Sequence, residues 1–112
     1  MRLDIRSMHL ELDHGALAHI RRRFEQGLEH FARYIVRGRI ILSDVNGPKG
    51  GADKHCLVQL RLRRASEVII VEEGVELFSV IDRAADRLAV AVSRAVGKVR
   101  HSRRQEYRHQ LA

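Results

Sequence analysis

An apolar stripe near the C-terminus limits the fold of this chain more than any other feature of its sequence. From Leu77 to Val99, apolar side chains recur every three or four residues over about six turns, the spacing of one face of an α-helix. A helix of this length must bury its stripe against a second layer of structure. A shorter stripe of the same period covers about residues 14–34 and predicts a first helix, with Asp13 as its N-cap.

Elsewhere the apolar pattern changes to the alternation that is typical of half-buried strands. Gly38 is expected to separate the first helix from the strand that follows it, and Asn46–Asp53 is rich in glycine and predicts a loop. Short connections between the last three strands favour an antiparallel meander, which gives the order β-α-β-β-β-α. The four predicted strands lie at residues 2–7, 39–45, 55–63 and 67–72.

Two helices that each carry an apolar stripe are expected to pack on the same face of such a sheet. The predicted fold class is therefore α+β, a two-layer sandwich of a four-stranded sheet and two helices. The other face of the sheet is expected to be polar or partly wet. Phe24, Phe31 and Phe78 are assigned to the core, which leaves Tyr34 and Tyr107 outside it.

Length and composition bound the class of protein. A chain of 112 residues, 45% of them hydrophobic, is expected to form one domain over residues 1–104, followed by a basic, flexible tail at 105–112. No apolar run reaches the roughly 18–20 residues of a membrane span, and the first residues lack the apolar core of a signal peptide, so we expect a cytoplasmic protein without a membrane partner. The single cysteine, Cys56, excludes an internal disulfide, and its strand position predicts a buried side chain.

Positive charge is concentrated near the C-terminus. Lys and Arg number 21 against 14 Asp and Glu, for a formal net charge of +7, and 18 of the 21 basic residues are Arg. Residues 87–112 contain seven of these basic residues and one acidic residue, Glu106. Because Arg favours flat, bidentate contacts to phosphate, the pattern indicates an anionic partner, most simply a nucleic acid.

On a helical wheel, most of the basic residues of the second predicted helix fall on one flank. Asp82 and Asp86 fall on the opposite flank, so the charges are sorted by sign. A rigid row of cations at steps of about 5–6 Å matches the scale of phosphate spacing in RNA. This basic row consists of Arg83, Arg87, Arg94, Lys98 and His101.

The sequence leaves open how much of the basic row is free to bind a partner. If the helices lie side by side, the flank of the first helix that carries Glu25 and Glu29 would face Arg87 and Arg94. Part of the row would then be neutralised in interhelical ion pairs of small energy. The two aspartates of the opposite flank are expected to be surface partners of their sequence neighbours, Arg83 and Arg87.

No arrangement for catalysis or metal binding stands out in the sequence. The seven histidines include no pair at i, i+4 with an acid between them, the spacing of a helical zinc site. His55 and Cys56 are neighbours in a predicted strand and point to opposite faces, and the loop at 46–51 lacks the Lys-Ser/Thr of a phosphate-binding loop. We therefore expect a protein that is not an enzyme and that uses no metal, cofactor or small-molecule substrate.

Two segments of the chain resemble a known family. Ile41–Asn46 in the second strand and Leu77–Leu88 in the last helix, in the order β-α-β-β-β-α, are similar to the ribosome hibernation-promoting factor family. That family includes the ribosome-associated inhibitor called protein Y, and its members were once described as modulators of sigma-54. The resemblance covers about residues 1–100 and is to the short forms, which have no C-terminal dimerisation domain.

The resemblance implies a non-enzymatic bacterial protein of the stationary or stressed cell. Such proteins bind ribosomal RNA of the small ribosomal subunit, in the channel for messenger and transfer RNA, and hold idle ribosomes inactive and protected. We expect a monomer off the ribosome. Whether it promotes ribosome dimers or silences single ribosomes stays open, partly because the end of this chain is basic where some short members carry an acidic tail.

The resemblance also implies which residues contact RNA. Matched position by position, it assigns Arg23, Arg87 and Arg94, and the wheel alone adds Arg83, Lys98 and His101. Two other functions stay open at this point. One is a general binder of double-stranded RNA, and the other is a protein-interaction regulator of the sigma-factor type.

Overall fold

The computed structural model of the protein describes residues 2–45 and 53–111, with side chains for all of these except Leu111. The predicted loop at 46–53 therefore lies outside the described residues, apart from Asp53. A 3-10 helix, Glu29–Tyr34, joins the first helix to the second strand. The main elements are β1 (Leu3–Met8), α1 (His14–Leu28), β2 (Ile35–Asp44), β3 (Lys54–Leu62), β4 (Val68–Gly74) and α2 (Leu77–Leu111).

The strands form one sheet in the order β1-β2-β3-β4. β1 runs parallel to β2, with Ile5 opposite Ile40. A parallel pair needs a crossover connection, which α1 supplies. β2, β3 and β4 form the predicted antiparallel meander, and the expected α+β class is confirmed.

Both helices bury their apolar stripes on one face of the sheet. Asp13 caps α1 as predicted, because its carboxylate accepts a hydrogen bond of 2.7 Å from the backbone N–H of Ala16. Cys56 is buried as predicted, and burial raises the pKa of its thiol to about 12, with a smaller contribution from Glu72. The largest fully buried side chains are Ile20, Phe24, Leu28, Ile40, Leu42, Val58, Leu60, Val80, Ile81, Leu88, Val92 and Val96.

Gly38 lies inside a strand and does not separate helix from strand. β2 begins at Ile35, before the predicted start at residue 39, and Gly38 is buried within it. A Cβ at this position would lie 2.7 Å from Cδ2 of Leu3 and 2.8 Å from Cδ1 of Leu60. The glycine is therefore required by the close approach of two leucines from the neighbouring strands.

Two of the aromatic assignments are wrong. Phe78 is 43% exposed, and its ring packs against that of His19 with the centroids 4.7 Å apart. Tyr34 is buried at the end of the 3-10 helix, and the guanidinium groups of Arg33 and Arg100 lie over its ring. The position of each residue relative to the sheet decides its burial here, which apolar periodicity does not reveal.

α2 continues to Leu111, past the expected loss of the helix near residue 104. Residues 101–110 of this extension are all exposed, because no described part of the chain forms a second layer over them. The boundary between a domain and a tail at residue 104 stays a prediction. Within the described part of the chain, no helix combines the length and the apolar content that crossing a membrane requires.

Candidate nucleic-acid interface

The first turn of α2, the helix that carries the basic row, is capped by an acidic side chain. The carboxylate of Glu76 accepts hydrogen bonds from the backbone N–H groups of Ser79, at 2.7 Å, and Phe78, at 3.0 Å. These bonds hold the pKa of Glu76 below its usual value, the bond from Ser79 most strongly. An anionic cap at a helix N-terminus also interacts favourably with the helix dipole. The cap therefore stabilises the start of α2, and the burial of the apolar stripe decides which side chains face the sheet.

Two arginines of the basic row bind the edge of the sheet. Arg87 donates hydrogen bonds to the carbonyl of Val71 at 2.8 Å and to the carboxylate of Glu72 at 2.9 Å. Arg83 donates to the carbonyl of Glu73 at 2.9 Å and to the same carboxylate of Glu72 at 3.4 Å. Since one carboxylate serves two guanidinium groups, one net positive charge remains. Arg83 and Arg87 thus fasten α2 to the edge strand β4 and are only partly available to a ligand.

Arg23 is engaged on the other flank of α2. Its guanidinium donates to Asp82 at 2.9 Å and to Asp86 at 2.7 Å, and Nε2 of His19 lies 2.7 Å from the same Asp82 oxygen. Burial by itself would raise the pKa of Asp82, but the hydrogen bonds from His19 and Arg23 outweigh it and hold the pKa below its usual value. This cluster joins α1 to α2, and it separates Arg23 from the basic row.

The expected pairing of these charges is wrong. The two aspartates pair with α1 and not with their sequence neighbours Arg83 and Arg87. In the part of the chain that the structure describes, Glu25 and Glu29 form no ion pair, and the carboxylate beside the row belongs to Glu72 of β4. A helical wheel gives the angle of each side chain around its own axis. The wheel does not show which neighbouring element lies beside each flank of α2, which is β4 on one flank and α1 on the other.

The C-terminal part of the basic row borders a surface groove. Arg94 and Lys98 line it from α2, and Arg64 lines it from the turn between β3 and β4. Arg103 of α2 adds a fourth cation, against a single acidic residue, Glu106. The groove has a volume of about 850 Å³, and its wall also contains the hydroxyl groups of Ser66 and Ser102.

The four cations of this α2 groove are not neutralised by the protein itself. Among the described residues, none forms an ion pair or a side-chain hydrogen bond with Arg64, Arg94, Lys98 or Arg103. Their N–H groups are therefore available to an external anion, and three of the four are guanidinium groups suited to bidentate contacts with phosphate.

The sequence patterns did not single out Arg64 or Arg103. Arg64 has a backbone φ of 61°, in the left-handed region that glycine or asparagine usually occupies in such turns. An arginine at a turn position that usually carries glycine or asparagine is a signal in the sequence. That signal can be recognised only once the turn has been located. Arg103 lies on a different flank of α2 from Arg94, across the apolar stripe at Val99, so the wheel places it outside the row.

The side chains around the groove include two that make internal contacts. The ring of His101 lies 3.0 Å from the side-chain amide of Gln105, and His101 does not line the groove. Arg100 turns back to the domain, where it donates to the hydroxyl of Tyr34 at 3.3 Å. Hydrogen bonds from Arg100 and then Arg33 hold the pKa of Tyr34 below its usual value. Of the six predicted RNA contacts, the structure brings two into the groove, Arg94 and Lys98.

Two solved structures with a similar fold come from Thermus thermophilus and Coxiella burnetii. The crystal structure of the Thermus thermophilus Protein Y N-terminal domain has a TM-score of 0.67 at 21% identity, and the match covers 84% of this chain and 98% of that chain. A ribosomal subunit interface protein from Coxiella burnetii has a TM-score of 0.64 at 16% identity, covering 84% and 96% of the two chains. At these identities the likeness shows the fold. No curated protein matches the chain.

The sequence itself matches a protein family over most of its length. The family described as sigma 54 modulation protein / S30EA ribosomal protein matches residues 3–100. This stretch contains all four strands, α1 and the larger part of α2, including Arg94 and Lys98 of the groove. The chain therefore belongs to the sigma 54 modulation protein / S30EA ribosomal protein family.

Proposed function

We propose that the protein is a ribosome-associated factor that binds ribosomal RNA of the small subunit through the α2 groove and keeps idle ribosomes inactive. The observation that carries this proposal is the set of four cations without partners in the described structure, Arg64, Arg94, Lys98 and Arg103. Membership of a family described as ribosomal proteins supports the ribosome as partner. The name of one fold relative, a ribosomal subunit interface protein, agrees with it.

The groove would act by binding and not by catalysis. An RNA backbone lying between α2 and the β3–β4 turn would meet cations from both sides, with Arg94 and Lys98 on one side and Arg64 on the other. Each neutralised phosphate releases condensed counterions, which favours binding at low salt. Because α2 is a continuous helix, the backbone positions of its cations are set before RNA arrives, and less backbone entropy is lost on binding.

The remaining predicted residues are proposed to position this surface. Arg83 and Arg87 tie α2 to β4, and Arg23 ties it to α1, so that the groove keeps its shape when RNA binds. The residual positive charge beside Glu72 adds a weaker, screened attraction. His101 extends the row beyond the groove, at the exposed end of α2.

Salt-dependent co-sedimentation with purified small ribosomal subunits tests the proposal. Four phosphate contacts predict a slope of log affinity against log salt of about −3 to −4, so a threefold rise in salt weakens binding roughly 30- to 80-fold. The variant Arg94→Glu/Lys98→Glu is expected to stay folded, because both side chains are exposed and make no contact in the described structure, and to lose binding.

The matched control is Arg21→Glu/Arg108→Glu, which makes the same change of charge at two exposed side chains that do not line the groove. Binding by the groove variant that equals binding by this control would refute the assignment of the site. A gel shift with plain RNA duplexes separates the remaining alternatives. Equal affinity for any duplex would favour a general double-stranded RNA binder, and salt-insensitive binding to a sigma factor without ribosome association would favour a protein-interaction regulator.

A further inference from the structure

The face of the sheet that the helices leave open carries a second group of arginines. Side chains alternate along each strand, so Arg37 and Arg39 of β2 share this face with Arg61 of β3. Arg2, just before β1, lies beside them. These four residues, the arginine cluster, line a concavity of about 480 Å³ whose other polar walls are Asp4, Gln59 and Glu67.

The arginine cluster holds positive charge that the protein does not neutralise. Four guanidinium groups meet two carboxylates in the concavity, and the structure gives none of the four an ion pair with any described residue. Arg37 and Arg61 stand directly opposite each other in the β2–β3 ladder, which puts their Cβ atoms about 4.5–5.5 Å apart. Like charges at this position repel, so an anion between them would lower the energy of the folded protein.

We propose that the arginine cluster is a second phosphate-binding surface, which takes the backbone of an RNA strand. All four cations are arginines, whose planar groups bind phosphate in a bidentate way. Alternate residues such as Arg37 and Arg39 are about 6.6 Å apart along a strand, and Gln59, opposite Arg39, adds neutral hydrogen-bond donors and an acceptor between the charges.

A peptide partner fits this part of the molecule less well. An acidic peptide that bound as an added strand would pair with the edge of β1 or of β4, whereas Arg37, Arg39 and Arg61 lie on the inner strands β2 and β3. On β4 the carbonyls of Val71 and Glu73 already accept hydrogen bonds from Arg87 and Arg83. The arginine cluster is a shallow, positively charged part of the open face, which suits a backbone of phosphates.

The inference rests on the proposed function and deepens it. The α2 groove lies on the helical side of the protein, and the arginine cluster lies on the open side of the sheet. The two surfaces meet at the β3–β4 turn, where Ala65 lines both cavities. Phosphates bound in the α2 groove and phosphates bound by the arginine cluster would each contribute to affinity and to salt dependence.

Site-specific crosslinking tests which partner lies on the open face. In Gln59→Cys the new thiol is labelled with a benzophenone maleimide, while Cys56 stays unlabelled because it is buried and its thiol has a raised pKa. After irradiation with small ribosomal subunits, we expect adducts to ribosomal RNA from position 59, as from Ser102→Cys in the α2 groove. Adducts from position 59 to ribosomal proteins only would overturn the inference. The absence of adducts from position 59, when Ser102→Cys does give adducts, would also overturn the inference.

A second measurement uses RNA without ribosomes. Arg37→Glu/Arg61→Glu is titrated with a short, fluorescently labelled single-stranded RNA, beside the wild type and the control Arg21→Glu/Arg108→Glu. We expect affinity to fall at least about 10-fold, and the salt slope to shrink by about 1 to 2, because two contacts are lost. Affinity equal to that of the control would overturn the inference. Because this titration needs no ribosome, it decides the inference even if the wild type fails to sediment with subunits, which would refute the proposed function alone.

Discussion

Gly38→Ala should destabilise the protein although alanine is ordinarily the better residue in regular structure. The added methyl would stand 2.7 Å from Cδ2 of Leu3 and 2.8 Å from Cδ1 of Leu60, well inside van der Waals contact. Overpacking a core position costs about 1–3 kcal/mol. Replacing glycine by alanine returns about 0.4–1 kcal/mol by restricting the unfolded chain. The net expectation is a loss of about 1–2 kcal/mol in the free energy of unfolding and a fall of about 5–10 °C in Tm.

Urea denaturation followed by circular dichroism measures this loss. The slope m should not change, because the substitution leaves the surface exposed on unfolding nearly the same. The double variant Gly38→Ala/Leu3→Val removes one of the two clashing methyl groups, so it should be more stable than the sum of its single substitutions predicts.

The matched control is Gly97→Ala in α2. A Cβ at Gly97 would have no described atom within 4 Å, so this substitution should raise the free energy of unfolding by about 0.5–1 kcal/mol. Opposite signs at the two glycines are the expected result. A Gly38→Ala variant as stable as the wild type, or strict additivity with Leu3→Val, would refute the packing argument.

Three further outcomes are expected. Arg87→Gln should lower the free energy of unfolding by about 0.5–1 kcal/mol in the same assay, because Glu72 loses a partner, whereas Arg94→Gln should change it little. The pKa of Asp82 in the folded protein lies below its usual value of 3.8. Its contribution to the free energy of unfolding is therefore complete above pH 3.8 and is lost as the pH falls through the pKa of the folded protein. Asp82→Asn should flatten the dependence of the free energy of unfolding on pH below about pH 4. Arg64→Gly should leave the free energy of unfolding unchanged or raised, since the strain of a left-handed arginine is about 1–2 kcal/mol, and it should weaken RNA binding. Unchanged RNA binding would contradict the role given to Arg64.

Much of the fold follows from local pattern. The stripe from Leu77 to Val99 and the alternation in the strands gave the element order, because a buried face must repeat with the period of its own secondary structure. The N-cap at Asp13 and the burial of Cys56 were also predictable, because each depends only on the residue type and on its position within one helix or strand. Pattern failed at Phe78 and Tyr34, whose exposure depends on contacts with other side chains and not on periodicity.

The candidate site was likewise predictable from the sequence only in part. The sequence placed Arg94 and Lys98 on one flank of a helix, and the structure adds Arg64, which is far from them in sequence and comes from the turn after β3. No helical wheel contains a residue from another element. The arginine cluster was also out of reach, because Arg37 and Arg61 become neighbours only through the register of β2 with β3.

The sequence by itself determined the α+β class, the order of the elements and the presence of a basic row on the last helix, since these follow from periods of 3.6 and 2 and from the sorting of charge. Only the tertiary structure decided which of those charges are free. Arg83 and Arg87 meet Glu72 on β4, and Arg23 meets the aspartates of α2. An ion pair depends on distances of a few ångströms between elements that are remote in the chain, and that information arises only when the helices and the sheet pack together.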